Sequence, residues 1–270
     1  MPWRTASSHD MMGGMCRLVA YLGEPISPAH LVFAGEHPLY EQSWAPRELL
    51  SGSVNADGYG VVWYADGRPA RIAEARPVWY DDELARTLSA ISAGCAIAAL
   101  RNSTPGLPVD RSAVLPLVLD RWAFVLNGFV PDFRRRHMRA LRSTLPDELY
   151  AELHGVSDAE TLFLMTVAAL RGGASMVEAL EATVQAVCKR VGKEEAQLNM
   201  VLSDGARLAA IRAGTVLLTN SLYVAKRPPF APDGVVLVSE APEPGACWDA
   251  VDGHSWIEIG GDGTIRSEVL

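Results

Sequence analysis

No apolar run in this 270-residue sequence approaches the roughly 18 residues of a membrane-spanning helix; Val114 to Leu119 and Leu162 to Leu170 both fall far short. Cysteine is scarce. The four present, Cys16, Cys95, Cys188 and Cys247, lie 79, 93 and 59 residues apart, without metal-ligand spacing and too sparse for a disulfide framework. A reducing, cytoplasmic setting is therefore expected. Positive charge is also short. Lys and Arg number 24 against 32 Asp and Glu, a net charge of −8, with no basic run beyond Arg134-Arg135-Arg136. An acidic surface repels phosphate backbones, so nucleic acid is not an expected partner. The six histidines are scattered, and GxxxxGK[ST], strand-linked GxGxxG, HExxH and GxSxG are all missing. Neither a metal nor a nucleotide cofactor is expected. Met1 to Gly14 carries Ser7, Ser8, His9 and Asp10 where a signal peptide would carry its apolar region, so no targeting signal is read there.

What is present is ordinary globular material: 49% hydrophobic and 21% charged residues, without a linker, repeat or low-complexity stretch. Cys16 to Gly23 reads as a strand. Pro28 to Gly35 and Ala45 to Gly52 read as short helices or loops. Gly60 to Ala65 and Pro69 to Ala75 flank Asp66-Gly67, a strong hairpin signal. Asp81 to Ser92 has helical spacing, and strands follow at Cys95 to Leu100 and Trp122 to Leu126. Helix dominates from 132 to about 191. Ser157-Asp-Ala-Glu160 reads as a capping box ahead of Thr161 to Leu170, and Ser175 to Val191 places Val177, Leu180, Val184 and Val187 on one face. Strands return at Leu198 to Leu202, Leu208 to Arg212, Val216 to Ala225, Val235 to Ser239 and Ser255 to Ile259. Strands, two long helices, then strands with hairpins predict an α+β fold in one domain.

The chemistry-bearing residues fall into an ordered series: Met15-Cys16-Arg17, Asn55-Ala-Asp-Gly-Tyr-Gly60, Ala99-Leu-Arg-Asn-Ser-Thr-Pro-Gly106, Asn127-Gly128, Ser157-Asp-Ala-Glu160, Leu198 to Gly205, and Ser239-Glu240. Each is weak alone; in this order they are specific. The series, running from Cys16 to about Ile259, resembles the class II glutamine amidotransferases, members of the N-terminal-nucleophile (Ntn) hydrolases. Ala-Ala-Leu-Arg ahead of Asn-Ser-Thr-Pro-Gly most resembles the branch that cleaves γ-glutamyl-hercynylcysteine sulfoxide in ergothioneine biosynthesis. The resemblance implies the four-layer αββα sandwich of Ntn hydrolases.

It also implies roles. Cys16 would be the nucleophile, with its own free α-amine as proton acceptor; an α-amine ordinarily titrates at about 7.7–8.0, which suits a general base near neutrality. By itself Cys16 reads first as a small apolar residue in a buried first strand, and only the other motifs turn the reading to a nucleophile. The Asn127 side-chain amide and the Gly128 N–H would form the oxyanion hole, against the alternative of an Asn-Gly hairpin turn. Arg101 would clamp the α-carboxylate of a glutamyl group with its planar fork, aided by the Thr104 hydroxyl, and Asp158 would hold the α-ammonium. Away from the resemblance, Arg101 reads as a strand-end charge and Asp158 as helix N-terminal acidity. Asp57-Gly58 reads either as a turn or as a direct contributor.

Two positions depart from the family: Leu126 stands where a histidine commonly precedes Asn-Gly, and Leu117 where a phenylalanine often follows the mid-chain proline. Residues 1–15 also precede the cysteine whose amine must be free. They are read as a non-structural leader, from an over-extended start or removed by cleavage, with 16–270 as the amidotransferase-type domain. The function implied is hydrolysis of a small γ-glutamyl amide, without nucleic acid or membrane partners and with homodimerisation left open. The alternatives are a glutaminase supplying ammonia to a partner and a catalytically dead binding homologue.

Overall fold

The computed structural model describes residues 16–48, 54–103, 110–216, 219–243 and 247–270. Alternation of side chains organises its first half. In β1 (Arg17–Ile26), Leu18, Ala20 and Leu22 face one apolar layer, while Val19 and Tyr21 face another. The same two-residue period divides β2 (Tyr59–Ala65) and β4 (Ala93–Leu100): Val62, Cys95, Ile97 and Ala99 point to the first layer, and Val61, Ala96, Ala98 and Leu100 to the second. Strands that are apolar on both faces must be covered on both.

These strands belong to a seven-stranded sheet ordered β11-β9-β10-β1-β4-β2-β3. Its other members are β3 (Arg68–Glu74), β9 (Tyr223–Lys226), β10 (Gly234–Val238) and β11 (Asp249–Ala250). The second sheet has six strands, ordered β13-β12-β8-β7-β6-β5. They are β5 (Leu117–Leu119), β6 (Trp122–Phe129), β7 (Gln197–Ser203), β8 (Leu208–Gly214), β12 (Ser255–Ile259) and β13 (Ile265–Val269). Every pairing in both sheets is antiparallel.

Short helices cover the outer face of the first sheet: α1 (Pro28–Phe33), α2 (Leu39–Gln42) and α3 (Leu84–Ser89). The second sheet is covered by α6 (Asp158–Arg171) and α7 (Met176–Val191), preceded by the short α4 (Met138–Arg142) and α5 (Asp147–Tyr150). The result is the four-layer αββα sandwich. Phe163 of α6 stacks on Phe124 of β6 with ring centroids 5.3 Å apart, fixing the helix over the strand. The complete capping box belongs to α7, where Ser175 and Glu178 satisfy each other's backbone N–H. At α6 only half of the expected box forms. Ser157 Oγ accepts the Glu160 N–H at 3.2 Å, but the Glu160 carboxylate reaches back to the His154 and Gly155 N–H groups instead.

The Asp66-Gly67 hairpin is present, both residues at positive φ. Two strand expectations need correction. Val216 to Ala225 is not one strand: among the described residues of this stretch pairing starts at Tyr223, because the backbone of 219–221 is bonded to side chains rather than to a neighbouring strand. Asn127-Gly128 is not a hairpin turn but lies inside β6, which runs on to Phe129. The tight turn on this strand lies before it, at Asp120 and Arg121 between β5 and β6.

Candidate active site

Strand register explains how distant residues meet. Arg17 of β1 pairs with Leu100 of β4, so Cys16, one residue before, and Arg101, one residue after, emerge side by side at one end of the first sheet. A small cavity there is lined by Cys16, Arg101, Gly128 and Asp158, with Leu126 in its wall. Four residues singled out in the sequence thus share one cavity. Asn127 is not among its lining residues and sits behind Gly128, fully buried. Thr104 lies outside the described residues, as does the 1–15 leader.

Gly128 owes its place to the uncovered part of β6. Strand β5 pairs with β6 only from Trp122 to Phe124, leaving the later residues without a strand partner on that edge among the described residues. Main-chain N–H groups alternate between the two edges of a strand, so Gly128 directs its N–H to the same edge as Val130. The Val130 N–H goes to Asp158 Oδ2 at 2.9 Å, so this edge faces the cavity. Glycine is also required by packing, since a Cβ at 128 would fall on the Gln197 carbonyl oxygen of β7.

Asp158 is the first residue of α6, and its other carboxylate oxygen accepts the Ala159 N–H at 2.9 Å. Burial pushes its carboxyl above the usual range, opposed by those backbone N–H groups and by the nearby Arg101 guanidinium. The Cys16 thiol is likewise raised, first by burial. The Asn102 N–H and the Arg101 and Arg17 charges pull it back, while Asp158 adds to the rise. A cavity carrying one buried guanidinium and one buried carboxylate is complementary to a molecule with a carboxylate and an ammonium, such as the α-end of an amino acid.

The Asn55-Ala-Asp-Gly-Tyr-Gly60 motif supports this site from behind. The Asp57 N–H donates to the Arg101 carbonyl at 3.0 Å, and Arg101 N–H donates to Gly58 O at 2.7 Å. The Asp57 carboxylate accepts the Ser103 N–H at 2.8 Å, so it holds the turn after β4. Gly58 has φ +142°, and a Cβ would press on Val114 and the Glu74 carbonyl. Ser203-Asp-Gly205 lies four register positions beyond the Asn127–Asn199 pair, toward the other end of the sheet, where Asp204 caps a turn.

Sequence reasoning assigned no role to Glu240, yet it organises the start of β1. Its carboxylate lies 3.0 Å from Arg17 Nη2 and 2.9 Å from His37 Nε2, and it accepts the Arg47 and Glu48 N–H groups at 3.0 Å. Its neighbour Ser239 bonds to Leu18 through both backbone and side chain. Burial lowers the Arg17 guanidinium from its ordinary value, and Glu240 opposes that shift.

The family model for class II glutamine amidotransferases matches residues 38–240. The chain belongs to that family. It is 33% identical over 249 residues to the γ-glutamyl-hercynylcysteine sulfoxide hydrolase of Mycolicibacterium smegmatis, covering 91% of this chain and 96% of that protein. To the protein of the same name from Mycobacterium tuberculosis it is 30% identical over 247 residues, covering 91% and 93%. Among solved structures it is similar to a glutamine aminotransferase class-II domain protein from Silicibacter pomeroyi, with TM-score 0.70, 21% identity, and 94% and 98% of the two chains covered. It is also similar to the glutamine phosphoribosylpyrophosphate amidotransferase of B. subtilis, with TM-score 0.64 and 16% identity, covering 94% of this chain and 49% of that one. These likenesses show the Ntn-type fold. In this chain, no group of three His, Cys, Asp or Glu suited to a metal occurs among the described residues, and no helix among them is long and apolar enough to cross a membrane.

Proposed function

We propose that the protein hydrolyses the γ-glutamyl amide of γ-glutamyl-hercynylcysteine sulfoxide, releasing glutamate and hercynylcysteine sulfoxide. The observation that carries this reading is the convergence of Cys16, Arg101, Gly128 and Asp158 on one cavity, in a chain whose relatives bear that substrate in their names. Arg101 takes the glutamyl α-carboxylate as a planar fork, and Asp158 takes the α-ammonium. The bound amino-acid end thus presents an opposite charge to each buried group.

The γ-carbonyl then lies beside Cys16. A thiol raised by burial is neutral at rest and must lose its proton as it attacks. Among the described residues no histidine lines the cavity, and Asp158 is committed to the substrate α-ammonium, as the Ntn family resemblance implies. The base is therefore the α-amine of Cys16 itself, in a chain that begins at Cys16. The amine takes the thiol proton and passes it to the leaving nitrogen. The Gly128 N–H and Asn127 Nδ2 stabilise the oxyanion, and water then cleaves the thioester.

The test is glutamate release by protein beginning at Cys16, measured on γ-glutamyl-hercynylcysteine sulfoxide and on free glutamine. A clear preference in kcat/KM for the former is expected. Equal or better turnover of glutamine would overturn the substrate assignment in favour of ammonia supply, and no turnover of either would leave a binding protein.

A further inference from the structure

Asn127 Oδ1 and the Asn127 main-chain oxygen both receive the side chain of Asn220, whose Nδ2 lies 3.3 Å and 3.1 Å away. The two amides can be oriented without ambiguity. A main-chain carbonyl only accepts, so the end of Asn220 that faces it must be Nδ2. The end of Asn127 that faces the same Nδ2 must in turn be Oδ1. Asn127 Nδ2 is thereby turned away, buried and without an acceptor among the described residues. A buried donor left unmatched is destabilising, so its retention here calls for a reason. Flipping the amide would not help, since it would set donor against donor at Asn220.

We infer that Asn220 is a positioning residue: it locks the Asn127 carboxamide so that its N–H donors are kept for the oxyanion. This rests on the proposed function, in which Asn127 is one of the oxyanion donors. The lock is itself clamped. The Asn220 N–H donates to Gln197 Oε1 at 2.8 Å, and its carbonyl accepts from Asn199 Nδ2 at 2.8 Å and Arg212 Nε at 2.9 Å. Arg212 Nε also reaches Thr219 Oγ1 at 3.1 Å. Register explains the clamp: Asn127 lies opposite Asn199, and Asn199 opposite Arg212, forming one polar row across β6, β7 and β8. Asn199 Oδ1 and Asn220 Oδ1 also lack donors among the described residues, so the row fixes geometry without saturating every atom. A preoriented donor avoids reorganisation at the moment of reaction, which is the source of oxyanion-hole catalysis.

The experiment is a double-mutant cycle on protein beginning at Cys16, with γ-glutamyl-hercynylcysteine sulfoxide as substrate and kcat, KM and Tm measured for each variant. Asn127→Ala should lower kcat by roughly 10²–10³. Asn220→Asp puts a carboxylate against Asn127 Oδ1 and draws Nδ2 toward itself, so kcat should fall at least about tenfold while KM changes little. Asn220→Ala, which only frees the amide, should fall less. In the Asn127→Ala background, Asn220→Asp should cost no more than about twofold in kcat. Wild-type kcat in both Asn220 variants beside an impaired Asn127→Ala overturns the inference alone. So does a multiplicative loss in the double variant, or a lowered Tm with kcat per folded molecule preserved. An unaffected kcat in Asn127→Ala refutes Asn127 as a donor, and the inference with it.

Discussion

Asp158 Oδ2 accepts the Val130 N–H at 2.9 Å, tying the end of β6 to the first turn of α6 across the candidate site. The same carboxylate is buried and raised above its ordinary value by that burial. The folded state therefore holds the Asp158 proton more tightly than the unfolded chain. Its contribution to stability falls as pH climbs from the ordinary carboxylate value of 3.8 through the raised one. Asp158→Asn removes the titration. The difference in Tm between wild type and Asp158→Asn should shift in favour of the variant as pH rises through that window, in the absence of ligand. A difference that stays flat from pH 3.8 upward would show that the carboxylate titrates normally.

Arg101 emerges at the end of β4 with its backbone held on both sides, by Gly58 O and the Asp57 N–H. Substitution of its side chain should leave that backbone in place. Arg101→Lys keeps the charge and loses the planar fork, which matters only if the partner is a carboxylate held at two points. Losing a desolvated charged hydrogen bond costs about 2–5 kcal/mol, so kcat/KM on a γ-glutamyl substrate should drop by more than about tenfold with Tm little changed. Activity within about twofold of wild type would return Arg101 to a strand-end charge.

Cys16 precedes β1 and is buried in the cavity wall. If its α-amine is the base, protein starting at Cys16 should turn over substrate, and protein retaining residues 1–15 should not, because an amide nitrogen cannot accept the proton. Intact mass fixes which form is present in each assay. Cys16→Ser, nearly the same size and with the same amine, should fold, bind and turn over very slowly, since a hydroxyl is far harder to ionise than a thiol. Wild-type turnover from the uncleaved chain, or from Cys16→Ser, would remove the mechanism.

What could be read from sequence follows from locality. Asp66-Gly67 was legible because turn chemistry is decided by adjacent residues, and α7 because its apolar face lies within one stretch; its capping box is equally local but was not read. Asn127-Gly128 has the strongest local turn signal in the chain, yet it lies in a strand. Register across β7 places Asn127 opposite Asn199, and the Gln197 carbonyl leaves no space for a Cβ at 128. Cys16, Arg101 and Asp158 were legible only through the order of motifs; no periodicity brings them together. Asn220 was not legible at all. It sits 93 residues from Asn127, in a segment whose apolar flanks resemble a strand. Glu160 shows the same limit at short range, since its carboxylate serves the preceding loop rather than the Ser157 N–H.

The buried pair of Arg17 and Glu240 yields the last prediction. Both side chains are almost inaccessible, 1% and 2% exposed, and their nearest charged atoms are 3.0 Å apart. Glu240 also receives His37 and two backbone N–H groups, so its loss orphans Arg17 and the Arg47 and Glu48 N–H groups together. Breaking a buried pair from one side costs about 3–5 kcal/mol, because the remaining charge has no partner. Glu240→Ala should therefore lower unfolding free energy by that order in urea titration. Glu240→Gln, which can still accept the N–H groups, should cost less. Arg17→Met removes the opposite charge and leaves Glu240 with its backbone donors and His37, so it should be the milder of the two truncations. The double variant Arg17→Met with Glu240→Gln should recover part of the loss from either side. Glu240→Ala as stable as wild type would mean that the pair contributes nothing to anchoring β1, and the strand's start would then be held by its pairing with β4 and by the Ser239–Leu18 bonds.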